Sequence, residues 1–277
     1  MIFKDFVFNY TSCLTCLLKN KYYTTFIRRL FLLPYKYILS NVRDFFFNKN
    51  IDKLDINKDY KSLDDFFKYF DSDKSSSVHG YNKFYSDELK EFKELKIRIL
   101  EFGIHFGASQ AAFSKYFVNS EVIGVDKNPY YKKFFSKNIR SLFCDVSDKN
   151  SLKELKNYLK YKVEIIIDDA SHIPNHQLKT FVEMFDLLKD DGIYIIEELD
   201  IYKTLPEDYN KNLENNESEI RDFLYHVSDK SDLNNKKFEK NLEILEIMKK
   251  IKWVKIFRGD YIINKKNVSE IAFIKKK

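Results

Sequence analysis

Two apolar runs, each closed by acids, constrain this chain more than any other feature: Val163-Glu-Ile-Ile-Ile-Asp168-Asp169-Ala-Ser-His172 and Gly192-Ile-Tyr-Ile-Ile-Glu197-Glu198-Leu-Asp200. Short isoleucine-rich runs of this kind read as strands buried on both faces, and the stretch between them is long enough for a crossover helix. A right-handed crossover sets consecutive parallel strands side by side with their carboxyl ends on one rim. Asp168, Asp169, His172, Glu197 and Glu198 are therefore expected to converge on one small volume.

The same alternation begins at Ile97. Strands are predicted at Arg98–Phe102, Glu121–Asp126, Ser141–Cys144, Lys162–Asp168 and Ile193–Glu197. Helices are predicted at Ala108–Phe117, Tyr130–Lys137, Lys149–Leu159 and Asn175–Leu188. A further helix is expected at Phe238–Lys250, and the apolar segments Trp253–Phe257, Tyr261–Ile263 and Glu270–Ile274 suggest an antiparallel closing hairpin. The expected fold is α/β, a doubly wound Rossmann-like sheet preceded by a helical N-terminal extension. We divide the chain into a basic, aromatic-rich extension (1–60), a short helical segment opening at Ser62 (61–96) and the α/β domain (97–277).

Charge separates these parts. Residues 1–50 carry eight Lys or Arg against two Asp or Glu, which leaves 40 of each sign in the rest of the 48 and 42. A neutral body gives no basis for a nucleic-acid channel across it. The basic segment, divided by Pro34 into two expected helices, has no uncharged run of the roughly 18 residues that a membrane span requires. It has no signal-peptide cleavage pattern either. Two roles stay open for residues 1–50: peripheral contact with an anionic membrane, or a helical cap on the domain. Cys13, Cys16 and Cys144 make no disulfide framework or zinc spacing, which fits a reducing cytoplasm.

The first strand runs into Glu101-Phe-Gly103-Ile-His105-Phe-Gly107. Two of the chain's six glycines stand in this one loop, where they let a ligand approach the backbone ahead of a helix N-terminus. The spacing is neither the three-glycine dinucleotide fingerprint nor a P-loop. Asp126, ending the second strand, is placed for ribose hydroxyls. Asp145, after the third, is a candidate for the adenine end or a helix start, and Asp168 is grouped with the cofactor side. Asp169, Glu197 and Glu198 offer the oxygen ligands that Mg²⁺ or Mn²⁺ takes, since three close carboxylates need a cation or raised pKa values. His172 is the candidate general base. His105 has a weaker claim on the cofactor, and His176 is expected to face solvent. Tyr81, Tyr85 and Tyr202 are weighed as sugar-stacking rings against plain packing.

The glycine loop, ribose acid, third-strand acid and final hairpin together resemble the class I S-adenosylmethionine-dependent methyltransferase arrangement. Ile167-Asp-Asp-Ala-Ser-His-Ile-Pro-Asn-His-Gln177 and Asp191-Gly-Ile-Tyr-Ile-Ile-Glu-Glu198 are more specific. With Asp73-Lys74-Ser-Ser-Ser-Val-His79-Gly80-Tyr81-Asn-Lys-Phe-Tyr85 upstream, they resemble the macrocin and mycinamicin sugar O-methyltransferase family, which has cephalosporin hydroxylase-like relatives. The resemblance spans about Asp71 to Asp200. It implies S-adenosylmethionine at Glu101, Gly103, Gly107 and Asp126, magnesium at Asp169, Glu197 and Glu198, and His172 as base. It further implies a glycan, glycolipid or glycosylated metabolite as acceptor. Ala170, Glu198 and Ser75 depart from the family's usual Gly, Asp and Gly. A hydroxylase-like enzyme and a non-catalytic membrane-surface scaffold are the alternative functions, and a homo-oligomer is an open option.

Overall fold

In a computed structural model, the structure describes residues 2–19, 27, 30, 34, 49–56, 60–130, 132–209, 219–228 and 242–277. The chain opens with α1 (Ile2–Lys19) and a short strand β1 (Lys49–Asn50), followed by α2 (Leu63–Phe70) and α3 (Asn82–Glu88). The main sheet begins with β2 (Ile97–Phe102), α4 (Ala108–Tyr116), β3 (Ser120–Asp126), the two-residue β4 (Phe134–Phe135) and β5 (Ile139–Phe143). It continues through α5 (Lys149–Leu159), β6 (Val163–Asp168), α6 (Pro174–Met184) and β7 (Leu188–Ile196). After α7 (Pro206–Tyr209), α8 (Glu219–Ser228) and α9 (Leu242–Lys249), the chain closes with β8 (Ile251–Arg258), β9 (Ile262–Ile263), β10 (Lys266–Asn267) and β11 (Glu270–Lys276).

Seven strands form the main sheet in the order β5-β3-β2-β6-β7-β11-β8. β2, β3, β5, β6 and β7 run parallel, and β11 is antiparallel to both β7 and β8. The strand order reverses between β2 and β6, and ligands of doubly wound sheets bind outside the carboxyl ends at such a switch point.

Alternate strand residues build two core layers. Leu100, Ile123, Ile166 and Tyr194 pack with α5, α6, α8 and α9 on one face. Ile99, Val122, Ile165 and Ile193 pack with α2, α3 and α4 on the other. Each fully buried aliphatic side chain contributes roughly 1.5–3 kcal/mol, so period-two burial on both faces specifies the register.

α1 covers the edge strand β5. Asn9 Nδ2 donates to Ser141 O at 3.0 Å, while Phe143 N donates to Asn9 Oδ1 at 2.7 Å. One amide thus satisfies a donor and an acceptor on an otherwise open edge. Arg140 grips Asp5 through two nitrogens at 3.0 and 2.7 Å, and Tyr158 donates to the same carboxylate at 2.6 Å. α1 thus packs on this edge of the sheet, and the second helix expected after Pro34 lies outside the described residues. Among the described residues no helix is long and apolar enough to cross a membrane.

The helix expected at Tyr130–Lys137 is absent. Phe134 and Phe135 form β4 instead, parallel to β1 at Lys49 and Asn50. Asp52 accepts from Ser136 Oγ at 2.6 Å and Lys137 N at 2.9 Å, so long-range pairing overrides local helical character. α6 also ends earlier than expected, at Met184, and β7 starts at Leu188 rather than Ile193. The helix expected at Phe238–Lys250 is seen as α9 from Leu242; residues 229–241 lie outside the described residues.

Candidate active site

The carboxyl ends of β2, β3, β6 and β7 carry the acids, and the loop after β2 passes among them. Gly103 has φ +97°, and a Cβ there would stand 2.1 Å from Asp169 O. Only glycine lets the first and fourth loops cross this closely. Gly107, at φ +81°, begins α4 and donates its N–H to Ile104 O at 2.7 Å.

Two cavities meet at Gly103. One, of about 260 Å³, is lined by Asp126, Cys144, Asp145, Ala170 and His176 among others. The second, of about 230 Å³, is lined by Asp71, Asp73, His105, Lys133 and Asp169 among others. Asp126 accepts from Ile104 N at 3.1 Å and Asn128 N at 2.8 Å, which pins the glycine loop. Each oxygen keeps a second acceptor site for a hydroxyl donor. Asp145 accepts from Ser147 N and Oγ, and the cap of α5 is Asp148 rather than Asp145. His176 does not face solvent as expected. It is half-buried, lines the first cavity and pairs through Nδ1 with Ser171 Oγ at 2.9 Å.

Glu101 and Asp168 lie beneath these cavities rather than on their walls. Glu101 is fully buried, receives the Gln110 side-chain amide, and is pushed up to about 8 chiefly by burial, so it keeps its proton at neutral pH. Burial likewise pushes the Asp168 carboxyl up to about 7 against the pull of His172.

Asp169, Glu197 and Glu198 do converge, together with a cation that a search for acids alone misses. Asp71, in the left-handed conformation, ends α2 and leads into a loop folded around Lys74, where His79 N donates to Asp73 O and Asn82 N to Lys74 O. Lys74 Nζ stands 2.5 Å from Asp169 Oδ2, 3.0 Å from Glu197 Oε1 and 3.8 Å from Glu101 Oε1. Burial opposes its charge, but Asp169, Glu197 and Asp73 hold it well above the usual lysine value. Tyr85 Oη donates to Glu197 Oε1 at 2.5 Å. Both Glu197 oxygens are thus engaged, and burial with Asp169 nearby pushes that carboxyl upward.

Glu198 turns the other way. It adopts φ +53°, and so does His172, a conformation that costs energy in a non-glycine residue and is tolerated where function demands it. Glu198 Oε1 lies 3.3 Å from His79 Nε2, and Oε2 lies 3.1 Å from His172 Nε2. Burial raises the Glu198 carboxyl while His172 pulls it down. Asp169 Oδ1 is 3.9 Å from His172 Nε2. Among the described residues, no three Asp, Glu, His or Cys side chains close into a ready metal cage. Asp169 keeps Oδ1 clear of Lys74 and lines a cavity, and the two Glu198 oxygens meet neutralisable histidines where those of Glu197 meet Lys74 and Tyr85. Two carboxylates, with substrate and water completing the shell, suit Mg²⁺. The donor chemistry of Asp169 and Glu198 therefore fits that ion.

The sequence motif contains Lys74 and His79 without a role and Tyr85 only as a stacking candidate; the signal for Lys74 was the basic residue beside Asp73 in an otherwise small, polar loop. Tyr81, Tyr85 and Tyr202 are 0%, 0% and 2% exposed, so they are packing residues and not stacking platforms.

Comparison with known proteins agrees with this architecture. A model described as FtsJ-like methyltransferase matches residues 87–249, more than half the chain. The L-olivosyl-oleandolide 3-O-methyltransferase of Streptomyces antibioticus is 31% identical over 143 residues, covering 47% of this chain and 35% of that protein. The 8-demethyl-8-alpha-L-rhamnosyl tetracenomycin-C 2'-O-methyltransferase of Streptomyces olivaceus is 27% identical over 129 residues, covering 44% and 34%. This chain thus spans about a third of the length of these curated relatives. MycE methyltransferase of the mycinamycin biosynthetic pathway, solved in complex with Mg, SAH and mycinamycin VI, shares the fold with a TM-score of 0.59 at 17% identity, covering 78% of this chain and 54% of that one. The chain belongs to the FtsJ-like methyltransferase family.

Proposed function

From membership in a methyltransferase family, we propose that this chain transfers a methyl group from S-adenosylmethionine to a sugar hydroxyl, with Mg²⁺ as the assisting ion. The observation that carries this reading is the Glu198–His172 pair at 3.1 Å, set beside two cavities that meet at Gly103. The relatives' sugar O-methyltransferase names support the acceptor class.

The cofactor's ribose would meet Asp126 and its adenine would lie toward Asp145 and His176, while its methionyl end would occupy the cavity shared by His105 and Lys133. Asp169 and Glu198 would hold Mg²⁺, and an ion held there would polarise an acceptor hydroxyl and make it easier to deprotonate. His172 takes the hydroxyl proton. With Nε2–H donated to Glu198, Nδ1 is left as the basic atom, and it has no partner among the described residues. The acceptor oxygen then forms a bond to the methyl carbon as the carbon–sulfur bond breaks. The electron pair stays on sulfur, giving S-adenosylhomocysteine. Lys74 keeps Glu197 and Asp169 from repelling one another.

The test is calorimetric titration of metal-stripped protein with S-adenosylmethionine, with and without Mg²⁺, followed by an assay of S-adenosylhomocysteine release with glycoside acceptors. One-site binding weakened by Asp126→Ala, and acceptor-dependent release, are expected. Acceptor turnover without S-adenosylhomocysteine points to a hydroxylase-like reaction instead, and absence of cofactor binding sinks the proposal in favour of a scaffold.

A further inference from the structure

Five side chains form an arc above the acids. Glu198 stands at its centre, with His79 on one oxygen and His172 on the other. Tyr261 packs against His79 with ring centroids 4.5 Å apart, and Tyr209 faces His172 at 6.1 Å. Both tyrosines are half-exposed, unlike the buried Tyr81 and Tyr85, and Tyr209 lies within electrostatic range of both Glu198 and Tyr261.

The Tyr261 wall is held firmly. Asp260 N donates to His79 O at 2.7 Å, and Tyr261 N donates to Ser269 Oγ at 3.1 Å. A Cβ at Gly259 would lie 2.1 Å from His79 O, and one at Gly80 would lie 2.2 Å from Asp260 Oδ2. The loop between β8 and β9 is thus pressed against the motif loop that carries His79, so the ring cannot drift away from the acids.

The floor of the arc is unfinished. His79 Nδ1, Tyr81 Oη and His172 Nδ1 are buried and have no hydrogen-bond partner among the described residues. Buried polar groups nearly always find partners, so these atoms are available to a polar occupant. Its chemistry follows from the walls. Ionised carboxylates only accept, so the occupant must bring donors. The excess of acids disfavours an anion, and two ring faces call for apolar C–H surfaces. A neutral ring with hydroxyls on its edge and C–H groups on its faces meets all three demands.

We propose that Tyr209 and Tyr261 are the walls of the acceptor slot and hold the C–H faces of a neutral pyranose whose hydroxyl edge meets His172 and Glu198. This inference rests on the sugar O-methyl transfer reading of the same site, and it assigns acceptor recognition to segments far from the glycine loop. Both tyrosines lie outside the motif stretch from Asp71 to Asp200.

Saturation-transfer NMR and affinity titration with methyl α-L-rhamnopyranoside, on the full chain with S-adenosylhomocysteine present, test it. Tyr209→Ala and Tyr261→Ala should each weaken sugar binding roughly threefold to tenfold, the range expected for one lost ring contact. Tyr209→Phe and Tyr261→Phe should retain it. Calorimetric affinity for S-adenosylhomocysteine should stay unchanged in all four variants, which shows that each is folded. Unchanged sugar affinity in both alanine variants overturns the slot, as does equal loss in the phenylalanine variants. Failure of the wild-type chain to bind the sugar while it binds catechol also overturns it. The two readings fail separately: sugar held by the tyrosines without any methyl transfer removes the O-methyl transfer reading alone. Methyl transfer with an unchanged KM in the alanine variants removes the slot alone.

Discussion

Glu197 and Glu198 are consecutive residues at the end of the same strand, yet they belong to different neighbourhoods. Glu197 points into a closed pocket where Lys74 and Tyr85 use both of its oxygens. Glu198, turned by its left-handed backbone, faces two histidines and a set of buried atoms without partners. Both oxygens of the first meet side chains of the buried cluster; the second lies beside histidine nitrogens that have no partner among the described residues. Two acids that look equivalent in a motif thus meet different partners, and the left-handed backbone at residue 198 accompanies that difference.

The comparison can be broken most sharply at His172. His172→Ala should lower methyl transfer by about 10²–10⁴, the usual contribution of a general base, while S-adenosylmethionine affinity measured by calorimetry stays within twofold. Loss of both together would place His172 on the structural side with Glu197.

Lys74→Ala should act in the opposite sense, on stability first. Removing one member of a buried ion pair costs about 3–5 kcal/mol, because the remaining carboxylates are left uncompensated. Denaturant unfolding should show that loss, and an unchanged midpoint would mean that the acids have another counter-ion. Gly103→Ala comes next. A Cβ 2.1 Å from Asp169 O, at φ +97°, should cost about 1–3 kcal/mol and weaken cofactor binding by displacing the crossing loops; calorimetry and thermal unfolding read both effects.

The smallest effect is expected far from either glutamate. Asn9→Ala removes the amide that pairs with β5 at Phe143 N and Ser141 O, and should cost about 1–2 kcal/mol with no change in KM for the cofactor. A change in KM would mean that α1 shapes the neighbouring cavity as well as covering an edge.

Much of this was legible in the sequence because it depends on local pattern. The alternating burial of Ile165, Ile166 and Ile167 between two core layers is written in the run itself, and so is the arrival of Asp169 and Glu197 on one rim. The antiparallel ending was readable for the same reason. The Tyr130–Lys137 segment was misread because its partner strand, at Lys49 and Asn50, lies about 80 residues upstream, and local propensity carries no information about such a partner. His176 was misplaced because one residue step turns a helix by about 100°, enough to carry a side chain from a solvent face to a cavity wall.

The sequence by itself therefore determined the sheet, the rim on which the acids gather and the glycine loop beside them, since strand periodicity and the handedness of crossovers leave few alternatives. Only the tertiary structure decided which partners each acid meets. Lys74 reaches Asp169 across 95 residues, and Tyr209 and Tyr261 reach the same arc from two separate segments. Contacts between distant segments arise from packing whole elements against one another. The different partners of Glu197 and Glu198 follow from that packing, which no local pattern encodes.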